Sequence, residues 1–472
     1  MATVGILTFS DGRESVRNAT CDFCTGVEAQ IASVLRARGH TVVTTGNVIG
    51  DSDVALASAR AVAAEQPDLT IFSIPVWTYP HFSVMAARES QSPILLFSSL
   101  DPQYPGMVGM LAVGGALDQM GRKHGRAWGD IEDPDVLARV EAFLRVAGAI
   151  RSLDGSTFGR VGGRSMGMYT AVANSQEWSR KFGINVEEID QWELVRRTEL
   201  MDPKRLAQAR TWLERHAAEV HYDGKLLTPE RLERQIGSYY AMRELIEEWH
   251  LDFSGIKGQP ELTNDFATMD ITEAFLNDPY DWDGPKEPHV CATEADMDGA
   301  LTMQLLKSFS GTPVLFADMR HYHTDRGIWD LCNSGQHPTW FAARSDDPAE
   351  NLKHVHLYPE GFYFPAGGAS VHHLAAPGDF TFARLTRLKE RYRMQVMRGT
   401  FECYDQATND ALMRMSSYEW PHAFARFSAD ASTVLSKYGS NHIHAVPGDY
   451  VDELRVFSDL MDVDYEELGA TN

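Results

Sequence analysis

The sequence has little cysteine, and its cysteines are not arranged as a disulfide framework. Five cysteines occur in 472 residues, and such an odd, sparse count excludes a small cross-linked extracellular scaffold. Cys21 and Cys24 form a C-x-x-C pair, but no second pair completes a zinc site. A redox pair is the alternative to the simpler interpretation, which is two incidental small residues at a helix start.

Positive charge and long hydrophobic runs are also lacking. Lys and Arg number 43 against 66 Asp and Glu, giving a formal net charge of -23. This balance argues against nucleic acid or an anionic membrane as a partner. No apolar stretch reaches about 18 residues, and the N-terminal MATVGILTF lacks the basic region of a signal peptide. We therefore expect a cytoplasmic protein without a membrane segment.

The first part of the chain alternates between two hydrophobic periods. Short apolar runs such as TVGILTF, HTVVTTG, DLTIFSIPVW and SPILLFSSL are separated by helical patterns. This alternation predicts a parallel, doubly wound sheet. Ligands of such sheets bind at the carboxyl ends of strands. The candidates there are Asp11, Gly12 and Arg13 after the first strand and Trp77 after the third.

Two further parts follow along the chain. The Gly-rich turn GGRSMG fits neither the P-loop nor the G-x-G-x-x-G spacing. Long amphipathic patterns over 203–221 and 229–250 predict helices. The later segment FTFARLTRLKERYRMQVMRGTFEC alternates with period two, which predicts antiparallel strands in a small barrel or sandwich. We expect three domains, at 1–155, 156–309 and 310–472.

Two acids bracket an apolar helix–strand unit, CATEADMDGALTMQLLKSFSGTPVLFADMRHY. Glu294 precedes its predicted helix and Asp318 ends its predicted strand, and both are costly to bury unpaired. In YGSNHIHAVPGD, His442 and His444 lie at a loop-to-strand junction. Glu294, Asp318 and one of these histidines would supply two oxygens and one nitrogen. That set suits Mn²⁺ or Mg²⁺.

The same residues also have ordinary structural interpretations. Glu294 is an acid near a helix N-terminus, where the helix dipole favours it, and Asp318 would pair with Arg320. Histidines two apart on a strand share one face, and most of the H-x-H pairs in the β-rich part fit a solvated strand face. Spacing alone does not decide between these interpretations and a metal site.

Six sequence blocks form a joint pattern along nearly the whole chain. They are DGRESVR, IPVWTY, GGRSMGM, DWDGPKEPHVCATEADMDGALT followed by FADMRHY, CNSGQ and GSNHIH. Together they resemble the L-fucose isomerase family, in the wider group that includes L-arabinose isomerase. The resemblance implies an α/β protein with two Rossmann-like α/β domains followed by a C-terminal antiparallel β-barrel domain. It also implies a homo-oligomer, commonly a hexamer, with sites near subunit interfaces and a tryptophan loop reaching into a neighbouring subunit.

The resemblance also assigns residues to roles. The family's ligand histidine follows an Asn, so the implied metal ligands are Glu294, Asp318 and His442, and His444 becomes an outer or structural residue. The implied cation is Mn²⁺, with Mg²⁺ or Co²⁺ as alternatives. The implied substrate contacts are Arg13, Trp77, Gln259, Ser334 and Asn441.

The activity implied by the resemblance is isomerisation of a free sugar from aldose to ketose. Glu294 and Asp318 would transfer protons through an ene-diol beside the cation, on a substrate such as L-fucose or D-arabinose. The chain is shorter than bacterial fucose isomerases in its β-rich part. Arg320, Arg326 and His337 there motivate a hexose with an anionic C6 group, such as sulfoquinovose converted to sulfofructose.

Other functions fit parts of the same pattern. A metal-dependent sugar epimerase or aldolase would use related enediolate chemistry. A non-catalytic sugar-binding protein would use doubly wound α/β domains.

Overall fold

A computed structural model describes the chain over residues 1–334, 337–361, 363–389 and 391–470. These residues form two compact units. The first comprises Met1–Ser152 with Asp452–Val463, and the second comprises Leu153–Val451 with the residues from Asp464 onward. Within the described ranges, no helix combines the length and the apolar character needed to cross a membrane.

The first unit alternates strands and helices. Its strands are β1 (Thr3–Phe9), β2 (Thr41–Ile49), β3 (Leu69–Ser73), β4 (Ile94–Ser98) and β5 (Gly125–Trp128). Its helices are α1 (Glu14–Ala37), α2 (Ser52–Ala64), α3 (Pro80–Glu89), α4 (Gly106–Gln119) and α5 (Pro134–Leu153). The strands form one parallel sheet in the order β2-β1-β3-β4-β5. The parallel sheet predicted from the alternating pattern is confirmed.

Both faces of this sheet are covered, as a parallel sheet requires. β3 and β4 are buried at every position, which explains why their sequences are continuous apolar runs. Side chains alternate between faces along a strand. Accordingly Ile6 packs in one hydrophobic cluster and Leu7 packs in another.

Two features of the first unit differ from the sequence-based expectations. α1 begins at Glu14, so Cys21 and Cys24 lie inside the helix and not, as the sequence had suggested, at its start. Burial raises the pKa of Cys24 to about 11, so its thiol stays protonated and unreactive. The short strand β5 was missed because GRAW is too brief to show a hydrophobic period.

The second unit contains most of the remaining elements. Its strands are β6 (Thr157–Val161), β7 (Asn185–Ile189), β8 (Glu219–Val220), β9 (Phe253–Ile256), β10 (Tyr280–Asp281), β11 (Gly284–Pro285), β12 (Cys291–Thr293), β13 (Leu315–His323), β14 (Ile328–Cys332), β15 (His356–Pro359), β16 (Ala369–His372), β17 (Gly378–Leu388), β18 (Arg391–Glu402), β19 (His422–Phe427), β20 (His442–Pro447) and β21 (Asp464–Glu467). Its helices are α6 (Ser175–Phe182), α7 (Gln191–Glu199), α8 (Pro203–His216), α9 (Pro229–Glu248), α10 (Glu261–Asp265), α11 (Asp270–Asn277), α12 (Met297–Ser310), α13 (Pro348–Leu352), α14 (Gln406–Met413) and α15 (Ala431–Lys437), with a 3-10 turn at Thr339–Ala342.

These strands form a parallel sheet and a larger mixed sheet. The parallel sheet has the order β12-β9-β6-β7. The mixed sheet has the order β17-β20-β13-β14-β19-β18-β21, and β17 also pairs with β18, so the pairing runs through six strands and returns to its start. The β17–β18 hairpin is the segment in which period-two alternation predicted antiparallel strands. Smaller sheets join β16-β15-β8 and β10-β11.

The last helix, α16 (Val451–Leu460), brings the chain back to the first unit. Val456 and Leu460 pack against the hydrophobic cluster that contains Ile6. Arg145 donates to Glu453 at 2.8 Å from Nε and 2.6 Å from Nη2. The structure therefore groups this helix with the first unit, whereas the sequence-based division places it in the third domain.

The packing of α16 can be tested with one substitution. Leu454 is fully buried, so Leu454→Ala should lower the free energy of unfolding by about 2–5 kcal/mol through lost burial and a cavity. The matched control is Leu435→Ala in α15, because Leu435 is 72% exposed; it should change stability by about 0.5 kcal/mol at most. Urea denaturation measures both. Equal effects of the two substitutions would contradict the packing of α16.

Candidate metal centre and active site

Glu294 lies at the carboxyl edge of the parallel sheet of the second unit, immediately after β12. Such edges are where open α/β sheets bind ligands. Glu294 and Ala295 both adopt a left-handed backbone, with φ of 57° and 50°, which is unusual for consecutive non-glycine residues. The Ala295 N–H donates to the Ile256 carbonyl of β9 at 2.9 Å. The neighbouring strand thus holds a strained turn in place, a feature that clusters at functional sites.

Glu294, Asp318 and His442 come together in the structure. Asp318 in β13 and His442 in β20 face each other across an antiparallel pair of strands. The His442 Nε2 atom lies 2.9 Å from Glu294 Oε2 and 3.6 Å from Asp318 Oδ1. Among the described residues, Glu294 Oε2 and His442 Nε2 are buried without an aligned hydrogen-bond partner. Three side chains distant in sequence therefore meet around two unsatisfied polar atoms.

The chemistry of this group fits a divalent cation. Two carboxylates and an imidazole suit a fairly hard ion such as Mn²⁺, and a cation would satisfy the buried Glu294 and His442 atoms. The ligand atoms of Glu294, Asp318 and His442 do not all lie within 4.8 Å of one another. In the part of the chain that the structure describes, one group of three or more His, Cys, Asp or Glu side chains meets this distance. It consists of Glu219, His221 and His356. Binding a cation would therefore draw the two carboxylates towards each other.

Asp296, which the sequence analysis did not single out, holds the other nitrogen of His442. Asp296 Oδ2 lies 2.6 Å from His442 Nδ1. Arg384 in β17 donates to the same carboxylate, at 2.5 Å from Nη1 to Oδ2 and 3.1 Å from Nη2 to Oδ1. The side chains of all three residues are fully buried. A carboxylate in this position fixes the tautomer and the ring orientation of a metal-binding histidine.

Charge pairing outweighs burial in this network. Burial disfavours the charged form of Asp296, but Arg384 and His442 lower the pKa of its carboxyl well below the usual value. Burial likewise disfavours a charged His442, yet its contacts with Asp296 and Glu294 raise its pKa to about 10. A cation bound at His442 Nε2 would replace the proton that the imidazole otherwise carries.

His444 has a different environment from His442. Both rings pack against Phe316, with ring centroids 4.6 Å and 4.9 Å from it. His444 Nε2 accepts a hydrogen bond from Arg384 Nη1 at 3.2 Å. Burial and the nearby Arg384 lower the pKa of His444 well below its usual value, so it is neutral. His444 thus contacts the guanidinium that pairs with Asp296.

Asparagine side chains hold Asp318. Asn441 Nδ2 donates to Oδ1 at 2.9 Å, and Asn333 Nδ2 donates to Oδ2 at 3.0 Å. Arg320, the alternative partner considered from the sequence, instead lies over the Trp420 ring at 5.1 Å. Asn333 was missed as a site residue, although it belongs to the CNSGQ block.

Two other predicted substrate contacts also lie in the second unit. Gln259 follows β9 at the carboxyl edge of the parallel sheet, and its carbonyl accepts a hydrogen bond from Ser165 Oγ at 3.2 Å. Ser165 belongs to the GGRSMGM block, so that block contacts a residue assigned to substrate binding. Ser334 is buried. Gly335 and Gln336, which complete the CNSGQ block, lie outside the described residues.

Arg13 and Trp77 belong to the first unit, at the carboxyl edge of its own sheet. Arg13 Nη2 pairs with Asp11 Oδ2 at 2.6 Å, and the Arg13 side chain remains 63% exposed. The hydrogen bond from Arg13 lowers the pKa of Asp11. A Cβ atom at Gly12 would lie 2.5 Å from the Tyr79 ring, so glycine permits this close approach. Trp77 is half-buried beyond β3.

Comparison with known proteins gives matches along most of the chain. Three family models describe L-fucose isomerase: the first N-terminal domain matches residues 1–155, the second matches 156–236 and 241–311, and the C-terminal domain matches 331–469. An L-fucose isomerase from Klebsiella pneumoniae is 25% identical over 93% of this chain and 88% of the relative. One from Escherichia coli is 24% identical over the same shares.

One solved structure shows only weak similarity to this chain. A solute-binding protein of an ABC transporter from Burkholderia multivorans has a TM-score of 0.16 and 14% identity, covering 56% of this chain and 84% of that one. The domain matches, by contrast, cover all three parts of the chain in order. The chain belongs to the L-fucose isomerase family, whose members are aldose–ketose isomerases.

Proposed function

We propose that this aldose–ketose isomerase is metal-dependent and acts on a free sugar through an ene-diol. Glu294, Asp318 and His442 would hold the cation. The observation that supports this most is their convergence, with His442 Nε2 at 2.9 Å from Glu294 and 3.6 Å from Asp318. Mn²⁺ is the proposed cation, with Mg²⁺ or Co²⁺ as alternatives, because most of the donor atoms are oxygens.

The proposed ligands are positioned by neighbouring side chains. When bound, the cation would supply Lewis-acid polarisation and a template for two adjacent sugar oxygens. Asp296, itself paired with Arg384, keeps the Nε2 atom of His442 turned towards Glu294. The amides of Asn333 and Asn441 fix both oxygens of Asp318.

Glu294 is the better candidate for the base at C2. Among the described residues its buried Oε2 atom has no aligned hydrogen-bond donor and lies 2.9 Å from His442 Nε2, so it can accept a proton when His442 is neutral. Both oxygens of Asp318 already accept amide hydrogen bonds, so fewer of its lone pairs are available to a substrate proton. We therefore assign proton abstraction to Glu294, and assign Asp318 to shuttling hydroxyl protons or returning the proton at C1.

The proposed sugar contacts divide by chemistry. Trp77 offers an apolar wall for the C–H faces of the sugar. The remaining four can exchange hydrogen bonds with hydroxyl groups; they are Arg13, Gln259, Ser334 and Asn441. In keeping with the family, we propose a homohexamer with sites near subunit interfaces, where Trp77 would enter a neighbouring subunit's site.

Further parts of the proposal follow from the same family assignment. Along the sequence we propose the domain division 1–155, 156–309 and 310–472, in which α16 belongs to the third domain but packs in the first compact unit, and we infer that six strands of the mixed sheet close into an antiparallel barrel. All five cysteines are free, which suits a reducing compartment, so we place the reaction in the cytoplasm.

A substrate with an anionic C6 group, such as sulfoquinovose converted to sulfofructose, is part of the proposal. Of the three basic residues that motivated it, His337 is fully buried, and burial lowers its pKa well below the usual value, so it is neutral. Arg326 lies 3.8 Å from Asp325 and over the Tyr404 ring. Arg320, exposed and two residues beyond Asp318, is the residue that supports an anion site.

Removing the cation tests the central claim. Protein treated with EDTA and verified as metal-free should lose ketose formation from an aldose panel, and Mn²⁺ should restore it. Glu294→Gln and Asp318→Asn should each lower kcat by roughly 100- to 10,000-fold, the range for a lost proton-transfer group. Asp325→Asn is the matched control, because the Asp325 side chain is 75% exposed. Ketose formation by the metal-free protein at the untreated rate would contradict the proposal.

The positioning role of Asp296 can be separated from a purely structural one. Asp296→Asn keeps the shape but removes the charge that orients His442, so Mn²⁺ affinity should fall about 10- to 100-fold. Calorimetric titration measures this affinity, and thermal denaturation reports any loss of fold. A variant that is less stable but binds Mn²⁺ as tightly as the wild type would assign Asp296 a structural role only.

The anionic-substrate hypothesis predicts a selective effect at Arg320. Arg320→Gln should lower kcat/KM for a C6-sulfonated aldose about 10- to 100-fold, because a charged hydrogen bond is lost. The kcat/KM for L-fucose should not change. Arg326→Gln serves as the control, since Arg326 is already paired with Asp325. If wild-type protein processes neutral and sulfonated sugars equally well, the hypothesis fails.

A further inference from the structure

A second cluster of metal-ligating side chains lies at the pairing of β8 with β15. It consists of Glu219, His221 and His356, each of which offers one ligand atom, with all three atoms within 4.8 Å of one another. His221 Nε2 lies 3.1 Å from His356 Nδ1, and His221 Nδ1 lies 3.5 Å from Glu219 Oε1. None of these residues belongs to the proposed isomerase centre.

Backbone pairing sets the positions of the three side chains. Glu219 is directly opposite His356 in the parallel pair of strands. The main-chain N–H of Ala218 donates to the Val355 carbonyl, and the N–H of His221 donates to the Leu357 carbonyl, both at 2.9 Å. Residues two apart on an extended chain point to the same face, so Glu219 and His221 both reach the side occupied by His356.

The two imidazoles contact each other, with His221 Nε2 3.1 Å from His356 Nδ1, which places both nitrogens within reach of one cation. The Tyr358 ring stacks on His221, with centroids 4.0 Å apart and planes 2° apart. That stacking fixes the His221 ring at little entropic cost on binding.

The site opens on a pocket of polar and aromatic side chains. The pocket has a volume of about 340 Å³ and includes His356, Tyr358, His372 and Tyr418 in its lining. Space beside the cluster leaves room for a water molecule as a further ligand. The strongly negative formal charge of the chain, -23, favours cations in general.

We propose that Glu219, His221 and His356 form a second metal site, which binds one borderline transition cation of the Zn²⁺ class. Two imidazole nitrogens and one carboxylate oxygen with an open fourth position are a donor set that Zn²⁺ favours, whereas the oxygen-rich isomerase centre suits a harder ion. The bound ion joins β8 to β15, where the parallel pairing is only two residues long.

Zinc stoichiometry tests this site. Equilibrium dialysis at buffered free Zn²⁺, with zinc counted by mass spectrometry, should give one equivalent fewer for His221→Ala/His356→Ala than for the wild type. Glu219→Gln should weaken the same equivalent tenfold or more, since loss of even an outer-shell partner costs about that much. Glu219 has a side chain that is 62% exposed, so this variant keeps the test valid if the double variant fails to fold.

Two controls separate this site from other zinc binding. His250→Asn removes an exposed histidine outside the cluster and should bind as much zinc as the wild type; Asn tolerates the positive φ of 50° at this position. Glu294→Gln/Asp318→Asn disables the isomerase centre and should retain the β8–β15 equivalent. Unchanged zinc stoichiometry and affinity in both the double histidine variant and Glu219→Gln would overturn the proposal, whether or not the isomerase centre binds metal.

Hydrogen exchange provides a second readout. At a free Zn²⁺ concentration near the wild-type dissociation constant, zinc should slow amide exchange at 218–221 in the wild type, because the ion holds β8 on β15, and should have a smaller effect in Glu219→Gln. Equal slowing in both proteins would show that zinc acts elsewhere and would contradict the proposal.

Discussion

The buried contact between Asp296 and Arg384 is the interaction on which the candidate centre depends. The Asp296 carboxylate makes three contacts. It accepts a hydrogen bond from the Gly299 N–H at 3.0 Å at the start of α12, it pairs with Arg384, and it lies 2.6 Å from His442 Nδ1. An unpaired carboxylate in this position would be prohibitively costly to bury, and the guanidinium offsets that cost. One side chain thereby fixes α12, β17 and β20 relative to one another within the second unit.

The charges around His442 explain why this arrangement favours a cation. Glu294, Asp296 and Asp318 contribute three carboxylates, whereas Arg384 contributes one guanidinium. A protonated His442 offsets part of the excess, which is why contact with these carboxylates raises its pKa to about 10. A divalent ion at Nε2 would compensate the same negative charge more fully while freeing the imidazole to act as a ligand. The excess negative charge and the donor atoms therefore both favour a divalent cation.

Local pattern predicted much of the fold but not the partners of the centre. Strand–helix alternation predicted the parallel sheet of the first unit, and a hydrophobic period of two predicted the antiparallel strands β17 and β18. Both patterns depend only on residues that are close together in the sequence. Family blocks pointed to Glu294, Asp318 and His442. Asp296 escaped notice because an Asp before a helix looks like an ordinary N-cap, and Arg384 because a charged residue in an alternating strand looks solvent-facing. The return of α16 to the first unit depends on contacts between distant segments, which no local pattern contains.

The turn at Glu294 bears on the choice between catalysis and simple sugar binding. Two consecutive left-handed residues cost on the order of 1–3 kcal/mol each, and the turn persists because Ala295 bonds to β9 and Asp296 caps α12. A protein that only binds sugar gains nothing from a strained backbone that buries a carboxylate oxygen without a donor, since sugar hydroxyls can be bound by relaxed surface groups. The proposed role of Glu294, to accept a proton and contact a cation, would account for this arrangement, so the location of the strain favours catalysis.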